Sequence, residues 1–344
     1  MPDAFLALSR TDRLEALGVV AQTSGRPMHL LEKDVWVVWA LEVLFTSDFR
    51  ESLVFKGGTS LSKAYQVVRR FSEDVDVTYD IRSLAPDLIA GSTEALPPNR
   101  SQEKRWSKVI RERLPEWIGA NIVPAFESAI SGHNLHAKVE ADVDKVLVSY
   151  ESISVGSGYV APVVLVEFGA RSTGEPWELK PLVCDAAAFL PELEFPSASP
   201  RVMRPERTFW EKATAIHAFC AQGAFRGGHR FARHWHDVVR LAQSGYLESA
   251  LNNRQLRESV ARHKAMFFPE KREDGSVINY TADVSGQLQL VPTEANALRV
   301  LAEDYQHMVE DGLFAGDVES WEELMNSCQA IQERVNRASE VAGQ

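Results

Sequence analysis

Cysteine is scarce in this chain of 344 residues, which contains only Cys184, Cys220 and Cys328. Their odd number and wide separation argue against a disulfide framework and against a clustered zinc site. Proteins without disulfides are typical of reducing compartments. The sequence therefore predicts a cytoplasmic protein.

Long apolar runs are also missing. No segment approaches the ~18 uninterrupted apolar residues that indicate a membrane-spanning helix. Residues 1–5 lack the basic segment and the apolar run of a signal peptide, so none is expected. The sequence contains no internal repeat and no low-complexity tract. We therefore expect no membrane partner.

A surplus of positive charge is the third missing feature. The chain has 37 Lys and Arg against 48 Asp and Glu, and its net charge is -11. This balance argues against a protein that coats nucleic acid indiscriminately, although it leaves room for a local basic cleft. The hydrophobic content of 45% and the charged content of 25% are ordinary for a globular protein. The length suggests two subdomains.

Apolar periodicity predicts a mixture of helices and strands. Helices are expected over residues 5–20, 30–45 and 101–130, in two segments after residue 204, and in two more after residue 294. Strands are expected over residues 137–140, 146–150 and 163–168, as an antiparallel extension of a sheet that begins at Leu53. Trp36 and Trp39 are expected in the core. Glu32, Lys33 and Asp34 are expected in the first turn of their helix, where acids suit the helix dipole.

One stretch combines a strand, a glycine turn, a helix and a second strand. Residues 53–55 form the first strand, which the pair Gly57 and Gly58 ends. Thr59 or Ser60 is expected to cap a helix that runs from Leu61 to Arg70. After Phe71 the apolar period changes to two. Because side chains alternate along a strand, Asp74 and Asp76 should then point to the same face.

This stretch supplies both halves of a metal-nucleotide site. Two carboxylates on one face repel each other unless a cation lies between them, and Mg2+ is usually held by one or two carboxylates plus substrate phosphates. Gly57 and Gly58 allow a phosphate to approach the backbone closely. The amides that open the helix, with the hydroxyls of Thr59 and Ser60, can bind it. Alone, the glycines would indicate a turn and the aspartates a solvated strand face; together they predict a site.

Two sequence segments carry a resemblance to a known family. Residues 56–65 read Lys-Gly-Gly-Thr-Ser-Leu-Ser-Lys-Ala-Tyr, and residues 70–76 read Arg-Phe-Ser-Glu-Asp-Val-Asp. They resemble the AbiEii/AbiGii toxin family of nucleotidyltransferases, which includes the mycobacterial MenT toxins and belongs to the DNA polymerase β-like superfamily. The resemblance implies an α+β fold with a mixed sheet. We expect a nucleotidyltransferase core with N-terminal helices in residues 1–200, and a helical subdomain that contributes cleft residues in residues 201–344.

A third carboxylate is expected near the two aspartates. Glu167 lies at the end of the most apolar predicted strand, where a carboxylate is costly unless it is paired, binds metal or turns to water. In the family, a Glu-Phe-Gly-Ala-Arg run similar to residues 167–171 provides the third acid. The resemblance therefore implies that Glu167 completes the metal site with Asp74 and Asp76. Arg171 is expected as a nearby partner of Glu167 or as a phosphate contact, and Lys56 is expected to bind the nucleotide.

The region from residue 204 to residue 240 has a local surplus of basic residues. They are Arg204, Arg207, Lys212, Arg226, Arg230, Arg233 and Arg240. Such a surplus suits an anionic substrate. The resemblance implies that Lys212 stabilises triphosphate charge and that Asp237 orients this lysine or the substrate. Because Arg233 and His234 stand where some members have a lysine, the third motif departs from the family pattern. His229, His234 and His236 do not have the spacing of a zinc site.

The resemblance implies the transfer of a nucleoside monophosphate from an NTP to the 3′ end of an RNA, tRNA in particular, with Mg2+ or Mn2+ as cofactor. It further implies a toxin with a cognate antitoxin protein, in a toxin-antitoxin or phage abortive-infection system. Two alternatives remain open from the residues alone. One is an enzyme with the same core that modifies a protein or small-molecule hydroxyl. The other is a non-catalytic nucleotide-binding module.

Overall fold

The computed structural model describes residues 3–72, 74–92, 94–154, 160–222, 230–314, 316 and 318–341. The chain divides into two units, each built from three segments. The first unit comprises Met1–Ala64, Ser72–Gly91 and Trp106–Met203, and the second comprises Tyr65–Phe71, Ser92–Arg105 and Arg204–Gln344. Among the described residues, no helix is long and apolar enough to cross a membrane.

The first unit is built on a sheet of seven strands. The sheet is mixed, as the resemblance implies, and the sequence predicts five of its strands. The strands are β1 (Leu53–Lys56), β2 (Val75–Tyr79), β3 (Ala137–Asp142), β4 (Lys145–Tyr150), β5 (Val163–Gly169), β6 (Trp177–Leu179) and β7 (Arg201–Met203). Their order is β3-β4-β5-β2-β1-β7-β6. The pairs β5/β2 and β1/β7 are parallel, and the other neighbours are antiparallel. Two pairs of two-residue strands lie outside this sheet: Asp3–Ala4 with Leu193–Glu194, and Leu182–Val183 with Ser197–Ala198.

The predicted extension of the sheet is confirmed, with one correction. Strands β3, β4 and β5 are antiparallel to one another, as expected. However, β5 joins β2 in parallel. The chain reaches β5 only after helices and a hairpin, so local periodicity could not set its direction.

The helices up to residue 132 are α1 (Arg10–Ser24), α2 (Met28–Thr46), α3 (Gly57–Lys63), α4 (Ile81–Leu84), α5 (Pro86–Ile89), α6 (Arg100–Trp117) and α7 (Val123–Gly132). A π-helical turn, Ile118–Ile122, joins α6 to α7, and short 3-10 turns cover Phe5–Ala7, Arg50–Ser52 and Asp185–Ala188. The predicted core positions Trp36 and Trp39 on α2 are buried. Helix α2 contacts β5, and Val164 and Val166 of β5 are fully buried. One face of the sheet is therefore core.

The charged residues Glu32, Lys33 and Asp34 do not lie where the sequence predicts. Helix α2 begins at Met28, so they fall beyond its first turn, and all three are buried. They are tolerated because each has partners: Glu32 accepts from the backbone N–H of Ile153, Lys33 donates to the carbonyl of Ala161, and Asp34 pairs with Lys63 at 2.5 Å. The expected role at the helix dipole was wrong.

Helix α3 is shorter than predicted. It ends at Lys63 rather than Arg70, and Gln66 has a φ of 53°. The predicted cap by Thr59 or Ser60 was also wrong. The helix begins at Gly57, and its N-cap residue, Lys56, makes no side-chain capping bond. Ser60 instead donates its hydroxyl to the carbonyl of Gly57.

The described part of the second unit is mainly helical from Arg204 onward. Its helices are α8 (Pro205–Ala221), α9 (Arg233–Gln243), α10 (Tyr246–Asn252), α11 (Arg254–Phe267), α12 (Tyr280–Ala282), α13 (Ala295–Glu310) and α14 (Trp321–Val341), with a kinked turn over Asp283–Gln287. The buried stripe predicted for α8 is confirmed, because Phe209, Ala213, Ile216 and Cys220 are all buried. The prediction of two final helices is confirmed as well.

Candidate active site

Four charged residues lie side by side across the centre of the sheet. Asp76 of β2 is paired with Glu167 of β5 on one side and with Lys56 of β1 on the other. Glu167 is in turn paired with Lys145 of β4. Directly paired residues project from the same face of a sheet. Lys145, Glu167, Asp76 and Lys56 thus form one row, called here the charged row, on the face opposite Val75 and Val166.

The two carboxylates of the charged row occupy its centre, and the two lysines flank them. Like charges directly opposite each other on neighbouring strands are destabilising, and flanking cations offset this cost. Lys145 donates a hydrogen bond from Nζ to Glu167 Oε1 at 2.5 Å. This hydrogen bond, followed by the charge of Glu167, raises the pKa of Lys145. The side chains of Lys145 and Glu167 are 44% and 36% exposed, so the pair lies at an accessible surface.

Lys145 was missed as a functional candidate. It begins an alternating strand, and its partner is set by the antiparallel register of β4 with β5. The two strands are separated by a loop that includes residues outside the described part of the chain. The length of this loop does not determine the register of β4 with β5, so the pairing of Lys145 with Glu167 is known only from the fold.

Gly57 brings the glycine turn against Asp76. Its φ is +80°, and a Cβ built on it would lie 2.0 Å from Asp76 Oδ2. Both facts require glycine, because other residues rarely adopt this φ and any side chain would displace the carboxylate. The predicted turn and the predicted aspartate are therefore in direct proximity.

The hydroxyls of Thr59 and Ser60 are buried and used inside the protein. Thr59 donates to the backbone carbonyl of Asp74 and to Ser72 Oγ, and Ser60 donates to the carbonyl of Gly57. Asp74 lies directly before β2, so the bond from Thr59 positions its backbone. These contacts give both hydroxyls a structural role, and their contact with a phosphate stays a prediction.

The charged row has the chemistry of a magnesium site. Asp76 and Glu167 place two oxygen-donor side chains on one accessible face, which suits an ion held by one or two carboxylates plus substrate phosphates. Among the residues that the structure describes, no group of three or more His, Cys, Asp or Glu side chains is placed to hold a metal ion. The participation of Asp74 as a third ligand stays a prediction.

Arg171 follows β5 by two residues, and its predicted role also stays a prediction.

The second unit contains a buried ionic cluster centred on Asp237 of α9. Arg70 donates to both carboxylate oxygens, from Nε to Oδ1 at 2.9 Å and from Nη2 to Oδ2 at 2.8 Å. Lys212 of α8 lies 2.9 Å from Oδ2. His236 Nδ1 is 3.4 Å from Oδ1, and His234 Nδ1 is 3.3 Å from Lys212 Nζ. Asp237 is completely buried and contacts Lys212, and its role in orienting that lysine stays a prediction.

The charges in this cluster stabilise one another. Burial alone would raise the pKa of Asp237, but Arg70 and Lys212 prevail and hold that pKa well below its usual range. Burial lowers the pKa of Lys212, against the attraction of Asp237. Burial and the nearby Lys212 charge hold the pKa of His234 well below its ordinary value, which favours the neutral imidazole. Asp237 therefore has two cationic partners, Arg70 and Lys212.

Other basic residues of the region 204–240 are paired with acids. Arg204 contacts Glu206 at 3.1 Å, Arg207 contacts Glu211 at 2.9 Å, and Arg240 contacts Glu319 at 3.2 Å. Arg226 and His229 lie outside the described residues. The basic surplus in the sequence is thus partly balanced within the second unit.

Gly57→Ala is expected to lower stability by about 1–3 kcal/mol and activity by ~10-fold or more, because the new Cβ must displace Asp76 and the backbone is strained. The matched control is Gly25→Ala, since Gly25 has a φ of +71° but nothing lies within 4 Å of the point that its Cβ would occupy. Gly25→Ala should lower stability through the same backbone strain and should retain the activity. Urea unfolding and nucleotide-transfer rates of both variants test this; equal activity of the two would contradict the role of the contact.

A comparison with known families finds a match over residues 39–327, well over half of the chain, to the family described as "Nucleotidyl transferase AbiEii toxin, Type IV TA system". No curated protein sequence matches the chain significantly.

Three solved structures align with most of the chain. MenT4, a nucleotidyltransferase toxin from Mycobacterium tuberculosis H37Rv, has 17% identity and a TM-score of 0.37, and the alignment covers 97% of this chain and 99% of the other. JHP933 from Helicobacter pylori has 16% identity and a TM-score of 0.38, with coverages of 91% and 93%. A putative nucleotidyltransferase from H. pylori has 16% identity and a TM-score of 0.40, with coverages of 91% and 96%. At these scores the three structures say nothing about individual site residues.

Proposed function

Because the chain belongs to the AbiEii family of nucleotidyltransferase toxins of type IV toxin-antitoxin systems, we propose that it transfers a nucleoside monophosphate from an NTP to the 3′ end of an RNA, tRNA in particular, with the help of a divalent cation. Family membership implies the NTP substrate and an antitoxin partner. The RNA acceptor, the metal and a role in phage defence are the proposed refinements.

The contact between the glycine turn and the charged row carries this proposal. Asp76 is directly paired with Glu167 on the neighbouring parallel strand, and its carboxylate lies against Gly57. Two adjacent carboxylates repel each other, and a position beside them that accepts only glycine restricts the sequence further. A sheet face with a purely structural role needs neither feature. It suits a site where a phosphate chain and a cation meet the backbone.

Asp76 and Glu167, with Asp74 before the strand, would hold Mg2+ or Mn2+. When bound, the ion supplies charge stabilisation for the attacking and leaving oxygens. The backbone at Gly57 and Gly58, with Lys56 and Arg171, would bind the NTP phosphates. The acceptor hydroxyl oxygen forms a bond to the α-phosphorus while the bond from that phosphorus to the bridging oxygen breaks. Pyrophosphate leaves, and Glu167 or water takes the hydroxyl proton.

Lys212 and Asp237 are proposed to act through charge. Lys212 lies in a buried cluster with Asp237 and Arg70. As the family resemblance implies, the Lys212 ammonium would stabilise the phosphates as negative charge develops. Asp237 holds the Lys212 ammonium at 2.9 Å, which supports the predicted orienting role.

The acceptor can be tested directly with labelled nucleotides. Purified protein would be incubated with each α-labelled NTP and Mg2+, in separate reactions with tRNA, other RNA and cell protein. Label is expected in tRNA, and it should be lost with a chelator or after periodate oxidation of the tRNA 3′ terminus. Label only in protein would favour the protein-hydroxyl alternative, and no NTP turnover in any fraction would favour a non-catalytic binding module.

A further inference from the structure

The ammonium of Lys145 contacts a carboxylate oxygen of Glu167, a residue that is proposed to bind the divalent cation. Its Nζ lies 2.5 Å from Glu167 Oε1, and its backbone is paired with that of Glu167. The pair stands at one end of the charged row, next to Asp76. The ammonium thus neutralises one of the two paired carboxylates that are proposed to bind the divalent cation.

An ammonium and a divalent cation compete for the same carboxylate oxygens. A cation that binds Glu167 must share Oε1 with Lys145, use the other oxygen while Lys145 stays close, or displace the ammonium. In each case the positive charge of Lys145 opposes the second positive charge. The opposition is moderate, because both side chains are partly exposed and water screens them.

We infer that Lys145 is a built-in competitor of the divalent cation at Glu167 and sets the metal affinity of the site. The inference rests on the proposed function. It extends that function, because Lys145 keeps the Glu167 carboxylate neutralised without metal and makes metal loading depend on the cation concentration. The lysine acts on Glu167 and on the cation, and it is not assigned to the reacting atoms.

The register offers a matched control. Lys138 of β3 is exposed and is paired with Ser149 of β4, which is paired with Val163 of β5. Val163 is four residues from Glu167, roughly 13 Å along the strand. Lys138→Gln therefore removes the same charge from a neighbouring strand and leaves the Lys145–Glu167 pair intact.

The experiment measures Mn2+ binding by isothermal titration calorimetry and by the paramagnetic resonance of free Mn2+, on the full chain without NTP. Lys145→Gln is expected to lower the Kd for Mn2+ by about 3- to 10-fold, the effect of removing one charge within several ångströms of a divalent ion. Lys145→Arg, which keeps the charge, and Lys138→Gln should stay within about 2-fold of the wild type. Asp76→Asn should abolish binding.

The outcomes separate the inference from the proposed function. An unchanged or higher Kd in Lys145→Gln, with binding still lost in Asp76→Asn, overturns the competitor role and leaves the metal site standing. Wild-type protein that binds no Mn2+ without NTP overturns the competitor role of Lys145. The proposed function, in which substrate phosphates complete the metal site, is then tested separately by the Mg2+ dependence of NMP transfer. Equal tightening by Lys138→Gln would show a general charge effect and would also overturn the inference. Circular dichroism of each variant verifies that the fold is kept.

Discussion

Asp76→Asn is expected to reduce nucleotide transfer by about 10³-fold or more and to leave the fold intact. The substitution keeps the shape of the side chain but removes one of the two central carboxylates of the charged row, which would lower metal affinity and transition-state stabilisation together. A 10³-fold loss corresponds to about 4 kcal/mol. Stability should change little, because one of two facing negative charges disappears.

The measurement is the rate of NMP incorporation under single-turnover conditions, with urea unfolding of the same preparation. Asp48→Asn is the matched control, since Asp48 belongs to the same unit, outside the charged row, and the substitution makes the same charge change. It should retain the wild-type rate. An Asp76→Asn protein with more than a tenth of the wild-type activity would remove Asp76 from the catalytic site.

Asp237→Asn is expected to destabilise the protein by about 3–5 kcal/mol. The carboxylate is completely buried and accepts from Arg70 and Lys212. Loss of its charge removes the carboxylate that both buried cations contact, and breaking a buried ion pair from one side has a cost of this size. The main effect of the substitution should therefore be this loss of stability, rather than a change in activity that results from the release of Lys212.

Equilibrium urea unfolding followed by circular dichroism tests this prediction. Glu303→Gln is the control, because it breaks the exposed Arg299–Glu303 pair of α13, for which less than about 0.5 kcal/mol is expected. The double variant Asp237→Asn with Arg70→Met should lose less unfolding free energy than the two single variants lose together, since the two residues are partners. Additive losses would argue against the Arg70–Asp237 pair.

The pH dependence follows from the lowered pKa of Asp237. Its ordinary value is 3.8, and the folded value lies well below this. The stabilisation is therefore complete at neutral pH and is lost only as the pH falls from the unfolded towards the folded pKa. The difference between wild type and Asp237→Asn should stay constant from pH 7 to about pH 5 and shrink below about pH 4.

Local patterns explain which elements were predictable. Strands β1 to β5 and helices α2, α8, α9 and α14 have apolar residues at a regular period over several residues. Strands β6 and β7 were missed because three residues are too few to show a period. Helix α3 was predicted too long because the apolar residues after Lys63 continue at helical spacing, although the chain turns at Gln66.

The amino-acid sequence alone determined the family, the glycine turn, and the candidates Asp76, Glu167, Lys212 and Asp237. These depend on residue types at short spacing, which local chemistry and resemblance can identify. Only the tertiary structure decided that Asp76 stands beside Glu167, that Lys145 pairs with Glu167, and that Arg70 binds Asp237, 167 residues away. Strand register and long-range ion pairs depend on how distant segments pack, and no local period records that packing.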